Sequence, residues 1–308
     1  MKTVHTYVVA QHRMDIVLAP GMDVNTLLPS FTPFVVSTDT PTGASTDVPT
    51  SPLFTMDVEQ GEAPSFAGWT EVGQFDCGGA NHGVYLDGDG GYGFEISMPA
   101  LEGRGTMTCV LLTDHDFAHG HAILLTQDTG EQHFGLNNAL MMAYAFASAT
   151  QGTLLIHASV IRKDGYGYLF TAPSGTGKST HTYLWYKNIP GCDLMNDDNP
   201  VVRVVDGETR IYGSPWSGKT PCYRNIWAPV GAITRLEQKP CNTIRRMDPI
   251  EGFSTLISAV SSMKWDERVY LGICTTIEAI LPTTPLYLLG CRPDAEAARV
   301  CYEEVRRV

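Results

Sequence analysis

The chain has 308 residues, a formal net charge of −12, 43% hydrophobic residues and 18% charged residues. That length suits one large or two ordinary domains, and that balance suits a well-cored fold rather than a disordered chain. The acidity argues against a partner held through its phosphate backbone, so no nucleic acid is expected, while a local basic site for a small phosphorylated ligand stays compatible with it.

The first twenty residues, MKTVHTYVVAQHRMDIVLAP, read as short strands, HTYVVA and MDIVLA. His12, Arg13 and Asp15 interrupt the apolar run, so no secretory leader is read there, and nothing downstream reaches a membrane-spanning length. Eight cysteines occur without a CxxC pair. Free thiols in a reducing cytoplasm are the expectation, with no membrane partner. Residues 37–65, rich in Thr, Ser, Pro and Asp, read mostly as a surface loop. From Trp69 to Phe134 strands return, as WTEVGQF, GVYLDG, GYGFEISM, TMTCVLL and HAILLT, a meander of antiparallel strands.

The character changes near Asn137. NNALMMAYAFASATQG is apolar nearly all round, the mark of a helix buried between layers, with Asn137 or Asn138 as N-cap. LLIHASVI (154–161), an Asp164-Gly165 turn and GYLFTA (167–172) read as a hairpin. DLMNDDNP (193–200) precedes a second hairpin, VVRVV and ETRIYG around Asp206-Gly207. GAITRLEQ (231–238) and PLYLLGC (285–291) read as strands, 249–263 and 266–281 as helices. A closing helix has Pro293 early, acids in its first turns and Arg in its last. The expected class is therefore mixed α/β: a β-rich N-terminal domain over 1–136 and an α/β domain over 137–308.

The strand 167–172 runs straight into Ala172-Pro-Ser-Gly-Thr-Gly-Lys-Ser179, a phosphate-loop pattern (Walker A) with Ala in place of its first Gly. Gly175 and Gly177 let consecutive amides turn inward around phosphate oxygens, and the helix that follows adds its positive end. Lys178 reaches the β and γ phosphates, and the Ser179 hydroxyl ligates Mg²⁺. Ser174, Gly175, Thr176, Gly177, Lys178, Ser179 and Thr180 are thus the candidate nucleotide-binding residues, with ATP and Mg²⁺ as cofactors and Mn²⁺ as a substitute ion. Downstream, Asp197 and Asp198 close a short apolar strand. Beside a phosphate site an acid pair calls for a cation, since Mg²⁺ takes carboxylate and phosphate oxygens together. One carboxylate then ligates the metal, and its neighbour, on the other side of the strand, takes a proton from an acceptor hydroxyl. A second stretch, YGSPWSGKTPCYRN (212–225), supplies Lys219 and Arg224 to neutralise the transferred phosphoryl group, on glycines that suit a mobile lid. His115, His119 and His121 fit no metal spacing and read as solvated strand-end residues.

HASVI, GYLFTAPSGTGKST and LMNDDNPVVR, in that order over about 154–203, resemble the HPr kinase and ATP-dependent phosphoenolpyruvate carboxykinase superfamily, closest to uncharacterised bacterial HPr kinase-like proteins. The resemblance implies a carboxykinase-like P-loop kinase domain, a mixed sheet with flanking helices, over 137–308. It implies His157 and Asp198 as metal-site residues, Asp197 as the general base and a homo-oligomer. Thr180 stands where HPr kinases carry Glu, and the carboxylate-binding arginine regions of the carboxykinases have no counterpart. The activity implied is transfer of the γ-phosphate of ATP to a hydroxyl of a protein, a peptide or a small molecule. The alternative is a nucleotide-sensing module that binds ATP without transfer; a sensor needs Lys178 and one metal ligand but no second carboxylate.

Overall fold

Alternating burial builds the first sheet. In the computed structural model, which describes residues 1–36, 48–76, 81–99, 105–218 and 220–306, β1 (Thr3–Val9) and β2 (His12–Leu18) form a hairpin. The hairpin turns through Ala10 and Gln11, both at positive φ (46° and 63°). After α1 (Val24–Leu27) come β3 (Phe54–Gln60), β4 (Thr70–Asp76), β5 (Asn81–Leu86), β6 (Tyr92–Met98), β7 (Thr106–Thr113) and β8 (His119–Leu124). The sheet order is β1-β2-β3-β8-β7-β6-β5-β4, with β3 parallel to both its neighbours and every other pair antiparallel. The meander expected from Trp69 onward is present as β4 to β8. The surface loop expected over 37–65 is corrected at its end: Phe54, Met56 and Val58 are buried on one face of β3, a period-two pattern that the surrounding Ser, Thr and Pro obscure. Residues 37–47 of that expected loop lie outside the described residues.

α2 (Thr129–Ser148) packs on β3, β6, β7 and β8. It starts two turns before the expected cap. The Asp128 carboxylate accepts from the Glu131 amide at 2.9 Å, and the Thr126 hydroxyl donates to Glu131 at 2.6 Å. Asp128 therefore satisfies the first-turn donors that Asn137 or Asn138 was expected to satisfy. At Gly135 the helix comes so close to β7 that a Cβ would sit 2.7 Å from that of Cys109. The chain divides into two compact units, Met1–Ser148 and Ala149–Val308. α2 thus belongs with the strands it covers and not with the residues after it.

In the second unit the elements are β9 (Thr153–Leu155), β10 (Ala158–Lys163), β11 (Tyr166–Thr171), α3 (Lys178–Asn188), β12 (Asp193–Asp198), β13 (Val201–Val205), β14 (Glu208–Tyr212), β15 (Trp227–Gln238), β16 (Thr243–Arg246), α4 (Pro249–Ala259), α5 (Glu267–Ile280), β17 (Leu286–Cys291) and α6 (Ala295–Val305). The strand order is β12-β10-β11-β15-β14-β13-β9, with β17 on β15 and β16 on β17. β11, β15 and β17 run parallel, and the other pairs are antiparallel. Both expected hairpins form, at Asp164-Gly165 and Asp206-Gly207, each with two positive-φ residues. The run 154–161 is not one strand: it breaks at Ile156-His157, β9 pairing with β13 and β10 with β11 and β12.

α3 is fastened by Trp185, which is fully buried against Tyr168, Phe170 and Tyr302. An indole removed from water this completely is worth roughly 2–3 kcal/mol or more of hydrophobic stabilisation. The Thr182 hydroxyl donates to Ser159 of β10 at 2.7 Å and sets the helix on the sheet. α4 starts at a capping box, the Asp248 side chain on the Glu251 amide and the Glu251 side chain on the Asp248 amide, with Pro249 in the first turn. Among the described residues no helix is long and apolar enough to cross a membrane.

Candidate functional site

The site lies beyond the carboxyl ends of the parallel strands β11, β15 and β17, where open α/β sheets place their ligands. The chain leaves β11 at Thr171, turns with the Thr176 amide donating to the Pro173 carbonyl at 3.2 Å, and enters α3 at Lys178. Gly175 (φ 76°) and Gly177 (φ 112°) both occupy left-handed backbone, which a side chain would strain. Gly177 is the N-cap of α3 and supplies no side-chain acceptor, so the first amides of the helix remain available to an anion. Gln238 at the end of β15 donates to the Thr176 carbonyl at 3.2 Å and braces the loop. Lys178 folds over the turn, its Nζ donating to the Ala172 carbonyl at 3.1 Å. Its pKa is lowered by burial, partly offset by the nearby Asp198 and Asp197 carboxylates.

β12 brings the acid pair to this loop with the two carboxylates on opposite faces. Asp197 is 4% exposed; its Oδ1 accepts from the Ser179 hydroxyl at 2.9 Å, and its Oδ2 is buried without a hydrogen-bond partner. A buried carboxylate oxygen without a donor is costly unless a cation completes it. Ser179 and Asp197 therefore fit a divalent ion held between hydroxyl, carboxylate and phosphate oxygens. Asp198 points the other way. Its Oδ1 lies 3.2 Å from Nε2 of His157, with side chains 37% and 42% exposed, and Asn199 donates to its Oδ2 at 2.8 Å. The break between β9 and β10 is what frees His157 to reach Asp198.

Arg224 is not with these residues. Its Nη1 donates to Asp193 at 2.8 Å and to the Leu194 carbonyl, at the start of β12, whereas the acid pair is at the end of that strand. Asp193 also takes a two-pronged contact from Arg162. Burial pushes the Asp193 carboxyl up, but the hydrogen bonds and charges of Arg162 and Arg224 outweigh it and hold the pKa below the usual range. Arg224 is thus placed with an acid at the opposite end of β12 from the acid pair with which its expected role would put it. The stretch 212–218 is likewise no loose lid. Trp216 is buried, the buried Ser214 hydroxyl donates to the Asn199 carbonyl at 2.6 Å, and a Cβ at Gly213 would meet the Arg224 carbonyl at 2.0 Å. Lys219 lies outside the described residues. In the first unit, His121 pairs with Glu59 at 3.1 Å.

Two cavities flank the loop. One, of about 370 Å³, is lined by Gly175, Gly177, Thr180, His181 and Leu184 with Leu236 of β15. The other, of about 300 Å³, is lined by His157, Thr171, Pro173 and Arg235 with Thr255 and Ser258 of α4. Arg235 and Leu236 are neighbours on one strand and so face opposite sides of the sheet. His181 and Arg235 are absent from the sequence reading. His181 is 3% exposed, its Nε2 accepts from the Trp185 indole at 3.1 Å, and burial lowers its pKa to about 4. The signal for Arg235 is a lone cation inside the apolar strand GAITRLEQ.

No family model matches the chain, and no curated protein matches it. Among solved structures, the HPr(Ser) kinase/phosphatase from Coxiella burnetii is similar at 12% identity, over 49% of this chain and 95% of that one, with a TM-score of 0.30. A likeness that slight carries no weight for function.

Proposed function

We propose that the second unit is an ATP- and Mg²⁺-dependent phosphotransferase that moves a γ-phosphate to a hydroxyl, the activity implied by the motif resemblance. The observation that carries the reading is the Ser179–Asp197 contact at the head of an uncapped helix, with the second oxygen of Asp197 buried and unsatisfied. Ser179 and Asp197 would hold a Mg²⁺, which when bound would neutralise phosphate charge. The amides around Gly175 and Gly177 hold the phosphates. Lys178 exchanges the Ala172 carbonyl for phosphate oxygens.

The burial of Asp197 and the exposure of Asp198 favour a division of labour opposite to that implied by the resemblance. Asp197 and Ser179 serve the cation, and Asp198, oriented by His157, serves as the base. Asp198 takes the acceptor hydroxyl proton as the acceptor oxygen bonds to phosphorus; the bond to the leaving oxygen breaks and ADP departs. An acceptor hydroxyl needs hydrogen-bond reach to its base, which a carboxylate 4% exposed does not offer. The test is transfer of radiolabelled γ-phosphate in lysate by wild type, Lys178→Ala, Asp197→Asn and Asp198→Asn. Asp198→Asn should keep nucleotide affinity and lose turnover, and Asp197→Asn should demand far more Mg²⁺. Tight ATP binding with no labelled product would instead support the nucleotide-sensing module.

A further inference from the structure

The phosphoryl transfer above leaves Arg235 without a task. We propose that Arg235 binds the anionic group of the acceptor, which makes the acceptor a small hydroxy acid; this identification of the substrate class rests on the kinase reading. Arg235 Nε is buried with no hydrogen-bond partner among the described residues, and no acid among them pairs with its guanidinium. Arg235 as a whole is half-buried and lines a cavity, and a bidentate anion is the natural complement of such a guanidinium.

Register ties this cation to the proposed base. Asp198 pairs with Ala158, Ala158 with Thr171, and Thr171 with Arg235, a single line across β12, β10, β11 and β15. Residues paired across strands carry their side chains on one face. Asp198 and Arg235 therefore stand on the same face, about 14 Å apart at their Cα atoms by three strand spacings. Only a methyl group and a threonine stand between them, and the Thr171 hydroxyl is already committed to the His157 carbonyl at 3.2 Å. Arg235 and His157, the partner of Asp198, both line the cavity on that face, and a molecule of a few carbons matches the span, acid at one end and hydroxyl at the other.

The cavity itself agrees. At about 300 Å³ it sits at the small end of ligand pockets, and it includes Pro173 of the loop and His157, the partner of Asp198. Its α4 wall carries Ser254, Thr255 and Ser258, the last two with hydroxyls that donate to Met247 Sδ and to the Thr255 carbonyl, and no Asp or Glu is among its lining residues. Such a chamber selects for an anion and against an amino alcohol, and its size selects against a folded protein surface.

The test uses the full chain with ADP and Mg²⁺, reading thermal stabilisation by DL-glycerate and L-serine (carboxylates), glycerol 3-phosphate (phosphate) and glycerol (neutral), and ADP release when ATP replaces ADP. One acid class should stabilise wild type and glycerol should not. Arg235→Met should weaken that acid by about tenfold or more, the loss expected for a hydrogen bond to a charged group, and Arg235→Lys should weaken it less. The melting temperature of each variant without ligand reports its folding. ADP affinity should be unchanged in both variants. The proposal is overturned if no acid stabilises wild type, if glycerol drives ADP release as well as the acids do, or if Arg235→Met weakens ADP as much as acid. Failure of wild type to bind ADP while it still binds an acid through Arg235 would overturn the kinase reading and leave the anion site standing.

Discussion

Residues 174–178 spell SGTGK and residues 217–219 spell SGK, yet the two stretches are set into the fold in different ways. The first leaves a central strand, passes through two left-handed glycines and enters α3. Nothing lies within 4 Å of where a Cβ on Gly175 would stand. The second follows the β13–β14 hairpin, anchors on buried Ser214 and Trp216, and runs beside β12, the Gly218 amide donating to the Asp197 carbonyl. A Cβ on Gly218 would lie 2.9 Å from that carbonyl oxygen. Glycine serves backbone freedom in the first case and close approach in the second. Among the described residues, the first leaves helix amides without a side-chain cap, whereas the Gly218 amide is already committed to β12, so the same residue letters differ in what they offer an anion.

The largest expected effect tests the first loop. Lys178→Ala should lower kcat/KM for phosphoryl transfer by about 10²–10³-fold, as for removal of one donor aimed at transition-state charge. Steady-state kinetics with varied ATP measure it, and near-normal turnover would erase the distinction between the loops.

Next comes the helix behind that loop. His181 has an ordinary pKa of 6.5 and one near 4 in the fold, because burial disfavours its charged form. Below 6.5 the unfolded chain takes a proton that the folded chain refuses. Stability is therefore complete above that pH and falls as pH drops toward 4, by about 3 kcal/mol in all. Urea midpoints taken across that range should show the slope in wild type, and His181→Phe should flatten it.

A smaller effect is expected in the second stretch. Gly218→Ala should cost about 1–3 kcal/mol of stability through overpacking against β12, read by denaturant unfolding. Because Gly218 leans on the acid pair, turnover should fall with it while affinity for ADP holds. Equal losses in nucleotide affinity would mean that the second stretch also contacts phosphate.

The smallest effect belongs to Arg224→Ala. Asp193 keeps Arg162, so stability should drop by only about 1–2 kcal/mol. Turnover should stay close to wild type; a loss as large as that of Lys178→Ala would return Arg224 to the phosphoryl group.

Local chemistry written in a few adjacent residues was legible without coordinates. Asp164-Gly165 and Asp206-Gly207 announce their hairpins because those residue types tolerate positive φ. The loop at 172–179 announces itself because glycine, lysine and serine follow an apolar strand and precede a helix. The adjacency of Asp197 and Asp198 predicts that they face opposite ways, since side chains alternate along a strand. What each carboxylate meets was not legible. Ser179, His157, Arg162 and Arg224 reach β12 from other elements, and cross-strand register decides which end of β12 each one touches. The same holds for β3, inserted between two strands remote in sequence, and for α2, whose cap lies two turns before its apolar run. The line from Asp198 to Arg235 joins four strands, and their pairing depends on burying both faces of the sheet at once, a condition that no short window of sequence contains.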